Sequence, residues 1–464
     1  MNVDRVLVIG LDCAAPRFMF GNEAFQLPNI QGLMERGCWG RLRSCDPPIT
    51  APAWACMMSG KDPGTLGCYG FRNRTGYSYG GMAIANAAAI REKRAWDILS
   101  RLGKKVVLVG VPQTYPPAPV NGWLVADFLA PDTRADFTYP RALKDELRGA
   151  VGEYLLDVEN FRSDDKPALL ERIYALMHNR FDTAGWLMKN KPWDFFMMVE
   201  MGVDRLHHGF WKYCDPGHPK FEPGNPFANV FREYYEAVDD RVGELLQLAG
   251  GDTAVLVVSD HGAKAMQGGV CINQWLAGQG YLKFKERGGG DAGGPAAFDP
   301  SRVEWAKTKA WAAGGYYGRI FVNVEGREPE GIVPAGQYEP FREELARRIE
   351  AMPGPSGQPL GNIALKPQDI YRQVKGIPPD LIVYFGDLGW RAIGSVGHPG
   401  IFTSENDTGP DDANHDYDGI FIMDDGCGRG GEQLHKLRIG DVAPTVLALM
   451  GVEPPEGMQG RPVC

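Results

Sequence analysis

The chain lacks the features that would place it in a membrane, outside the cell or on a nucleic acid. No apolar run among its 464 residues approaches the ~20 needed to span a bilayer. Its start, M-N-V-D-R-V-L-V-I-G-L-D, has neither the long apolar segment nor the small-residue cleavage site of a signal peptide. Cysteine is poorly arranged for bridging: the nine residues (13, 38, 45, 56, 68, 214, 271, 427 and 464) are odd in number and form no C-x-x-C pair. That usage suits reduced thiols rather than a disulfide framework. Positive charge is in deficit, with 49 Lys and Arg against 58 Asp and Glu, a net charge of -9 and a pI near 5.5. A duplex-DNA or polyanion binder is thereby disfavoured. There is no internal repeat, and nothing in the sequence encodes an oligomeric state. The expectation is a cytoplasmic protein that takes a small-molecule substrate and no membrane.

What is present is a chain of 51.0 kDa, long enough to bury a large core as one big α/β domain or as a domain with a sizeable insertion. Short β-rich runs (5–11, 105–111, 194–200, 253–259, 318–324, 381–385, 419–423) alternate with amphipathic stretches (29–37, 91–102, 166–190, 226–249, 337–351, 440–450). This alternation predicts an α/β fold, a mostly parallel central sheet sandwiched by helices. Between His261 and His415 the composition changes: G-G-G-D-A-G-G-P (288–295) and P-G-P-S-G-Q-P (353–359) are loop-forming, with strands and a helix between them. The predicted organisation is a catalytic core of 1–263 and 411–464, with 264–410 inserted as an α+β cap that shapes the substrate pocket.

Seven side chains stand where strands end or helices begin: Asp12, Thr50, Asp204, His208, Asp260, His261 and His415. Asp12 closes V-L-V-I-G-L, and Asp260-His261 closes A-V-L-V-V-S. Asp204 and His208, four apart in V-D-R-L-H-H, share one face of a helix. Ligands of open α/β sheets collect at the carboxyl ends of strands. Two divalent ions ~4 Å apart clamp an in-line displacement at phosphorus. A His/Asp set without cysteine favours Zn2+ or Mn2+. Asp204, His208 and His415 offer one ion two nitrogens and a carboxylate; Asp12, Asp260 and His261 offer the other two carboxylates and a nitrogen.

Thr50, in C-D-P-P-I-T-A-P-A-W, is the candidate nucleophile. Pro47-Pro48 stiffens the approach, and Pro52 suits the first turn of a helix, whose free N–H groups favour an anion. A metal-bound threonine can ionise near neutral pH, and the Ala51 amide could hold a phosphate oxygen. The alternative is that Thr50 only caps the helix.

These pieces together resemble the alkaline phosphatase superfamily, in its type I phosphodiesterase/nucleotide pyrophosphatase branch. The matching segments are V-I-G-L-D (8–12), T-A-P-A-W followed by M-S-G-K-D-P-G-T-L-G, M-G-V-D-R-L-H-H, V-V-S-D-H-G and H-D-Y-D-G-I-F (415–421). The tail D-V-A-P-T-V-L-A-L-M-G-V also looks like that superfamily's closing helix. The resemblance implies that Asp12, Thr50, Asp260 and His261 bind one metal and Asp204, His208 and His415 the other. It also implies a covalent phosphothreonine intermediate.

Two departures stand out. Where nucleotide pyrophosphatases usually carry an Asn about twenty residues after the nucleophile, the register gives Phe71. Asn73 could fill that role, or Arg72 or Arg74 could replace it, pairing two phosphate oxygens through a planar fork. Each arginine is otherwise a solvated loop residue. The second departure is the insertion, whose specificity the sequence does not encode. Elsewhere, His207 is expected to pack, His218 and His398 to sit in loops, Asp239-Asp240 to form a solvated helix face and Lys264 to lie at the surface. Tyr316-Tyr317 and Trp311 belong to the insertion's core or a pocket wall, and Asp416 and Asp418 are placed to orient His415. A sulfatase is disfavoured, because position 50 is Thr and position 54 is Trp. The expected activity is hydrolysis of a phosphoric ester or nucleotide; the alternatives are a phosphomonoesterase, a phosphonoacetate hydrolase-like C–P hydrolase, a metal-dependent phosphomutase and a silent binder.

Overall fold

A computed structural model describes residues 3–21, 24–285 and 294–463, so most of the 288–295 glycine loop lies outside the described residues. The strands at its centre are Arg5–Leu11, Phe195–Glu200 and Thr253–Val258; the last two are buried along their whole length. A strand covered on both faces reads as a continuous apolar run, which is why V-L-V-I and A-V-L-V-V are visible in the sequence. From edge to edge the ten-stranded sheet runs Glu432–Gln433, Cys38–Arg43, Asp418–Asp424, Thr253–Val258, Arg5–Leu11, Phe195–Glu200, Val106–Val109, Gly122–Val125 and Thr138–Tyr139. Leu437–Arg438 also pairs with Cys38–Arg43, on the same side as Glu432–Gln433. The run from Thr253–Val258 to Gly122–Val125 is parallel; Asp418–Asp424 and Thr138–Tyr139 are antiparallel to their neighbours. Strand register aligns Leu11 with Glu200 and Gly10 with Val258, so three carboxyl ends open at one level.

Helices Pro28–Arg36, Lys166–Asn190, Gly202–Cys214 and Val230–Ala249 pack among themselves, as do Thr50–Ser59, Ala95–Arg101 and Val442–Leu449. Asp239 departs from the solvated face expected for it. It is fully buried and accepts the backbone N–H groups of Asn29 (3.0 Å) and Ile30 (2.8 Å), holding the start of Pro28–Arg36. A buried acid at a helix start satisfies donors that otherwise have none.

Within 264–410 a four-stranded antiparallel sheet (Ala310–Ala313, Gly318–Val322, Leu381–Tyr384, Ile363–Leu365) packs with Tyr338–Glu350 and Ile272–Gly278 over its own apolar cluster. Leu276, Ile320, Leu345 and Val383 are among its buried members. At the neck, Gly262–Ala265 pairs antiparallel with Ala413–Asp416, and the register sets Ala263 opposite His415. This ladder carries His415, distant in sequence, to the end of the strand that leads to His261.

Candidate metal centre

Each side chain is brought in by a local feature. Asp12 leaves Arg5–Leu11 with its N–H on the Glu200 carbonyl (3.0 Å). Gly10 lets Trp54 approach, since a Cβ there would lie 2.5 Å from the indole. Trp54 then donates Nε1–H to Asp12 Oδ2 at 2.6 Å. Asp260 accepts the Cys13 N–H (3.1 Å) on Oδ1. Glu200, buried at the end of its strand, accepts the N–H groups of Gly202 (2.6 Å) and Val203 (3.1 Å). It thereby fixes the first turn of Gly202–Cys214, from which Asp204 and His208 project one turn apart.

Two triads result, Asp204–His208–His415 and Asp12–Asp260–His261, all buried, with the ligand atoms of each triad within 4.8 Å of one another. His208 Nε2 lies 3.2 Å from Asp204 Oδ1, and His261 Nε2 lies 3.1 Å from Asp260 Oδ2. The Nε2 atoms of His208 and His415 are 3.3 Å apart. Asp12 Oδ1, Asp204 Oδ1 and Asp260 Oδ2 are buried without a hydrogen-bond donor. Those are the oxygens nearest the imidazoles. On the far side, each ring faces an acceptor through Nδ1: Asp411 Oδ1 for His208 (2.7 Å), the Pro48 carbonyl for His415 (2.9 Å) and the Gly262 carbonyl for His261 (3.1 Å). Donating Nδ1–H there leaves the Nε2 lone pair to the triad, the tautomer that metal ligation requires. Three carboxylates and a threonine alkoxide would carry four negative charges, the complement of two divalent ions. The residues fit a dinuclear centre. Cys13 also lies within reach of His261 and His415, but burial and the neighbouring acids push its thiol well up, which disfavours the thiolate that ligates.

Burial pulls His208 and His261 down, but Asp411 and Asp204 outweigh it for His208, and Asp260 and Asp12 for His261. Both imidazoles are raised to about 9. A divalent ion competes with those protons for the same lone pairs. Because the folded pKa is raised, the competing proton persists to about pH 9 and is removed above it. Metal affinity is therefore expected to rise with pH up to about 9, with proton release on loading. Calorimetry in two buffers of different ionisation enthalpy reads this directly, and zero release would refute it.

Thr50 is the first residue of Thr50–Ser59 and does not cap it; Ile49 occupies the cap position with an extended backbone. Its Oγ1 lies 3.3 Å from His261 Nε2. Ala51, the second helical residue, has an N–H with no partner inside the helix. A cleft of about 410 Å³ opens over Thr50, Asp204 and His415, and Phe71, Arg72, Tyr316 and Tyr317 help line it.

The sequence-based substrate residues divide. Arg72 lines the cleft. Asn73 closes its own turn: it accepts the Tyr69 N–H (2.7 Å) and donates to the Gly70 carbonyl (3.0 Å), which holds its amide in the turn at both ends. Arg74 is buried in an ion pair with Glu328 (3.1 Å), outside the cleft. Neither Asn73 nor Arg74 lines the cleft as expected, and the reasons differ: strand alternation turns Asn73 away from the face of Arg72, whereas Arg74 shares that face but is buried against Glu328. Asp416 pairs with Lys264 (2.9 Å) and Asp418 lies near Arg41 (3.8 Å), so neither orients His415; the Pro48 carbonyl does. His207 packs as expected, against Phe18, Trp211 and Phe231, and burial lowers it to about 3. His218 is held by the Asp412 carbonyl and the Lys220 N–H. Residues 6–418 match the sequence model of the type I phosphodiesterase / nucleotide pyrophosphatase family.

The chain belongs to that family. It is a metal-dependent phosphohydrolase, of a class that uses two metal ions. No curated protein matches it in sequence. Among solved structures, human ectonucleotide pyrophosphatase / phosphodiesterase 5 is similar, at 13% identity and TM-score 0.56, with 97% of this chain and 96% of that one covered. Phosphonoacetate hydrolase from Sinorhizobium meliloti 1021 in complex with phosphonoformate is also similar, at 15% identity and TM-score 0.60 over the same shares. Both likenesses speak for the alkaline phosphatase-like fold. No helix among the described residues is long and apolar enough to cross a membrane.

Three residues of this family member escaped the sequence reading: Glu200, Arg205 and Asp411. Arg205 grips Asp157 through Nε (2.9 Å) and Nη2 (2.7 Å) while Nη1 bonds Asp204. Asp411 receives His208 Nδ1 (2.7 Å), Arg162 Nε (3.1 Å) and Arg391 Nη1 (3.1 Å). Its only sequence signal was an Asp-Asp pair a few residues before His415. Asp411→Asn is expected to weaken binding of the ion at His208 by about 10–100-fold while the second ion binds as before, because the partner that sets the ring's tautomer is weakened. Stepwise metal titration checks this; two unchanged affinities would refute it.

Proposed function

We propose that the protein is a phosphodiesterase acting through a covalent phosphothreonine, with Asp12, Asp260 and His261 holding one ion and Asp204, His208 and His415 the other. The observation that carries this reading is the convergence of three donor-less carboxylate oxygens and three Nε2 atoms beside the Thr50 hydroxyl. When bound, zinc or manganese ions supply Lewis acidity, lowering the pKa of the threonine hydroxyl and neutralising phosphoryl oxygens. Thr50 Oγ1 attacks phosphorus in line; its bond to phosphorus forms as the bond to the leaving oxygen breaks, and that oxygen departs and takes up a proton. The Ala51 N–H, at the positive end of its helix, donates to a phosphoryl oxygen, and Arg72 contributes charge from the cleft wall. Water then attacks phosphorus, the Thr50–phosphorus bond breaks and Oγ1 regains a proton, releasing a phosphomonoester. The insertion 264–410 shapes the pocket through Tyr316 and Tyr317, with Tyr316 stacked over His415 (4.2 Å between centroids).

The test is acid quench of the zinc- or manganese-loaded protein turning over thymidine 5′-(p-nitrophenyl phosphate), followed by peptide mapping. A thymidine 5′-phosphate adduct on the peptide containing Thr50 is expected; a burst of p-nitrophenol with the adduct elsewhere would overturn the assignment. Parallel rates on p-nitrophenyl phosphate and p-nitrophenyl phenylphosphonate separate diester from monoester and phosphonate hydrolysis.

A further inference from the structure

The metal-site cleft does not end at the metal site. Arg72, Gly314, Arg319 and Thr408 line it and also line a second cleft of about 840 Å³, so the two share a wall. The shared wall is thin: a Cβ on Gly314 would lie 2.4 Å from the Gly394 amide nitrogen, so two backbones meet there without side chains between them. The larger cleft is faced by Tyr79, Met82, Phe298, Trp311 and Phe321.

The arginines around the smaller cleft differ in one respect. Arg205 is paired to Asp157 and Asp204, and Arg162 and Arg391 are both paired to Asp411. Arg72 and Arg319 have no carboxylate partner among the described residues. The Arg319 Nη1 is spent on the Arg72 carbonyl (2.7 Å), which ties the two residues together, and its Nε is buried without an acceptor. Two arginines without a carboxylate partner among the described residues leave positive charge on the wall between the two clefts, which an anion would neutralise.

We propose that Arg72 and Arg319 form a second anion subsite, and that the substrate is an elongated phosphoester carrying another acidic group on its organic arm, followed by an apolar portion in the larger cleft. This rests on the phosphohydrolase reading for the position of the reacting phosphorus. The planar fork of the exposed Arg72, with the Arg319 charge tied to its backbone, matches a carboxylate or a second phosphate; the aromatic lining of the larger cleft matches a ring or alkyl chain.

Binding of non-hydrolysed probes tests this independently of turnover. The zinc-loaded full chain is titrated calorimetrically with ω-phosphonocarboxylates of one to six methylenes, the alkylphosphonates of equal length, and the best carboxylate extended by a phenyl group. Expected are a gain of at least tenfold for the carboxylate at one optimal length, and a further gain for the phenyl group. Arg319→Gln should remove the first gain, with Arg319→Lys restoring part of it, and Phe298→Ser the second. No carboxylate gain at any length overturns the subsite, as does a gain that survives both Arg319→Gln and Arg72→Gln. No phenyl gain, or one that survives Phe298→Ser, overturns the apolar arm. Carboxylate-dependent binding with no turnover of any ester would instead sink the hydrolase reading and leave the subsite standing.

Discussion

Thr50→Ala is expected to lower ester turnover by about 10³-fold or more while leaving both metal ions bound and the melting temperature nearly unchanged. Two features of Thr50 make the result informative. Among the described residues its hydroxyl pairs only with His261 Nε2, at 3.3 Å, and satisfies no backbone donor. Its removal therefore orphans nothing, and alanine suits the first helical turn at least as well. A loss of rate without a loss of structure would then report the missing nucleophile rather than a damaged site. Thr50→Ser, which restores the hydroxyl, should recover a substantial part of the rate. Turnover of Thr50→Ala within tenfold of the parent would refute nucleophilic catalysis by this residue, whatever the metal content.

The clustering of the two Asp/His triads was legible in the sequence because most of their members stand at the end or start of a recognisable element. Continuous apolar runs announced Arg5–Leu11 and Thr253–Val258, and Asp12 and Asp260 follow their ends. The spacing of Asp204 and His208 placed them on one helical face. Cys38–Arg43 was not legible, though it sits inside the central sheet. Its C-W-G-R-L-R alternates between buried and more accessible positions, since it lies near the sheet edge and presents arginines outward. The supporting residues were illegible for a different reason. Asp411 meets Arg162, His208 and Arg391, partners that lie 249, 203 and 20 positions away, and no local pattern encodes such a meeting. The same holds for Asp239, whose helix looked amphipathic and whose role is set by the start of another helix. Asn73 and Arg74 failed because position along the chain was taken as a guide to position in the cleft. On a strand, one residue of displacement turns Asn73 to the other face, while Arg74, back on the face of Arg72, is drawn inward by buried Glu328.

His208→Ala and His261→Ala should each halve the metal content, from two ions per chain to one, and each should cost turnover about 10²-fold or more through lost transition-state charge stabilisation. The two variants are expected to differ in which ion remains, because their triads share no ligand. With His208 gone, Asp204 and His415 keep one carboxylate and one nitrogen, too few to hold a divalent ion in competition with water. Asp12, Asp260 and His261 are untouched, so the ion beside Thr50 should persist. The fold should persist as well. Asp411 loses its hydrogen bond from His208 Nδ1 but stays between Arg162 and Arg391, each at 3.1 Å, so no buried charge is left unpaired. In His261→Ala the nucleophile's own ion is lost, and any phosphothreonine trapping should vanish with it. His208→Ala should still form the intermediate slowly, because the ion that activates Thr50 remains. Elemental analysis of the two purified variants, with acid-quench trapping on each, would show this asymmetry. Equal trapping in both, or retention of two ions in either, would overturn the division of ligands between the two ions.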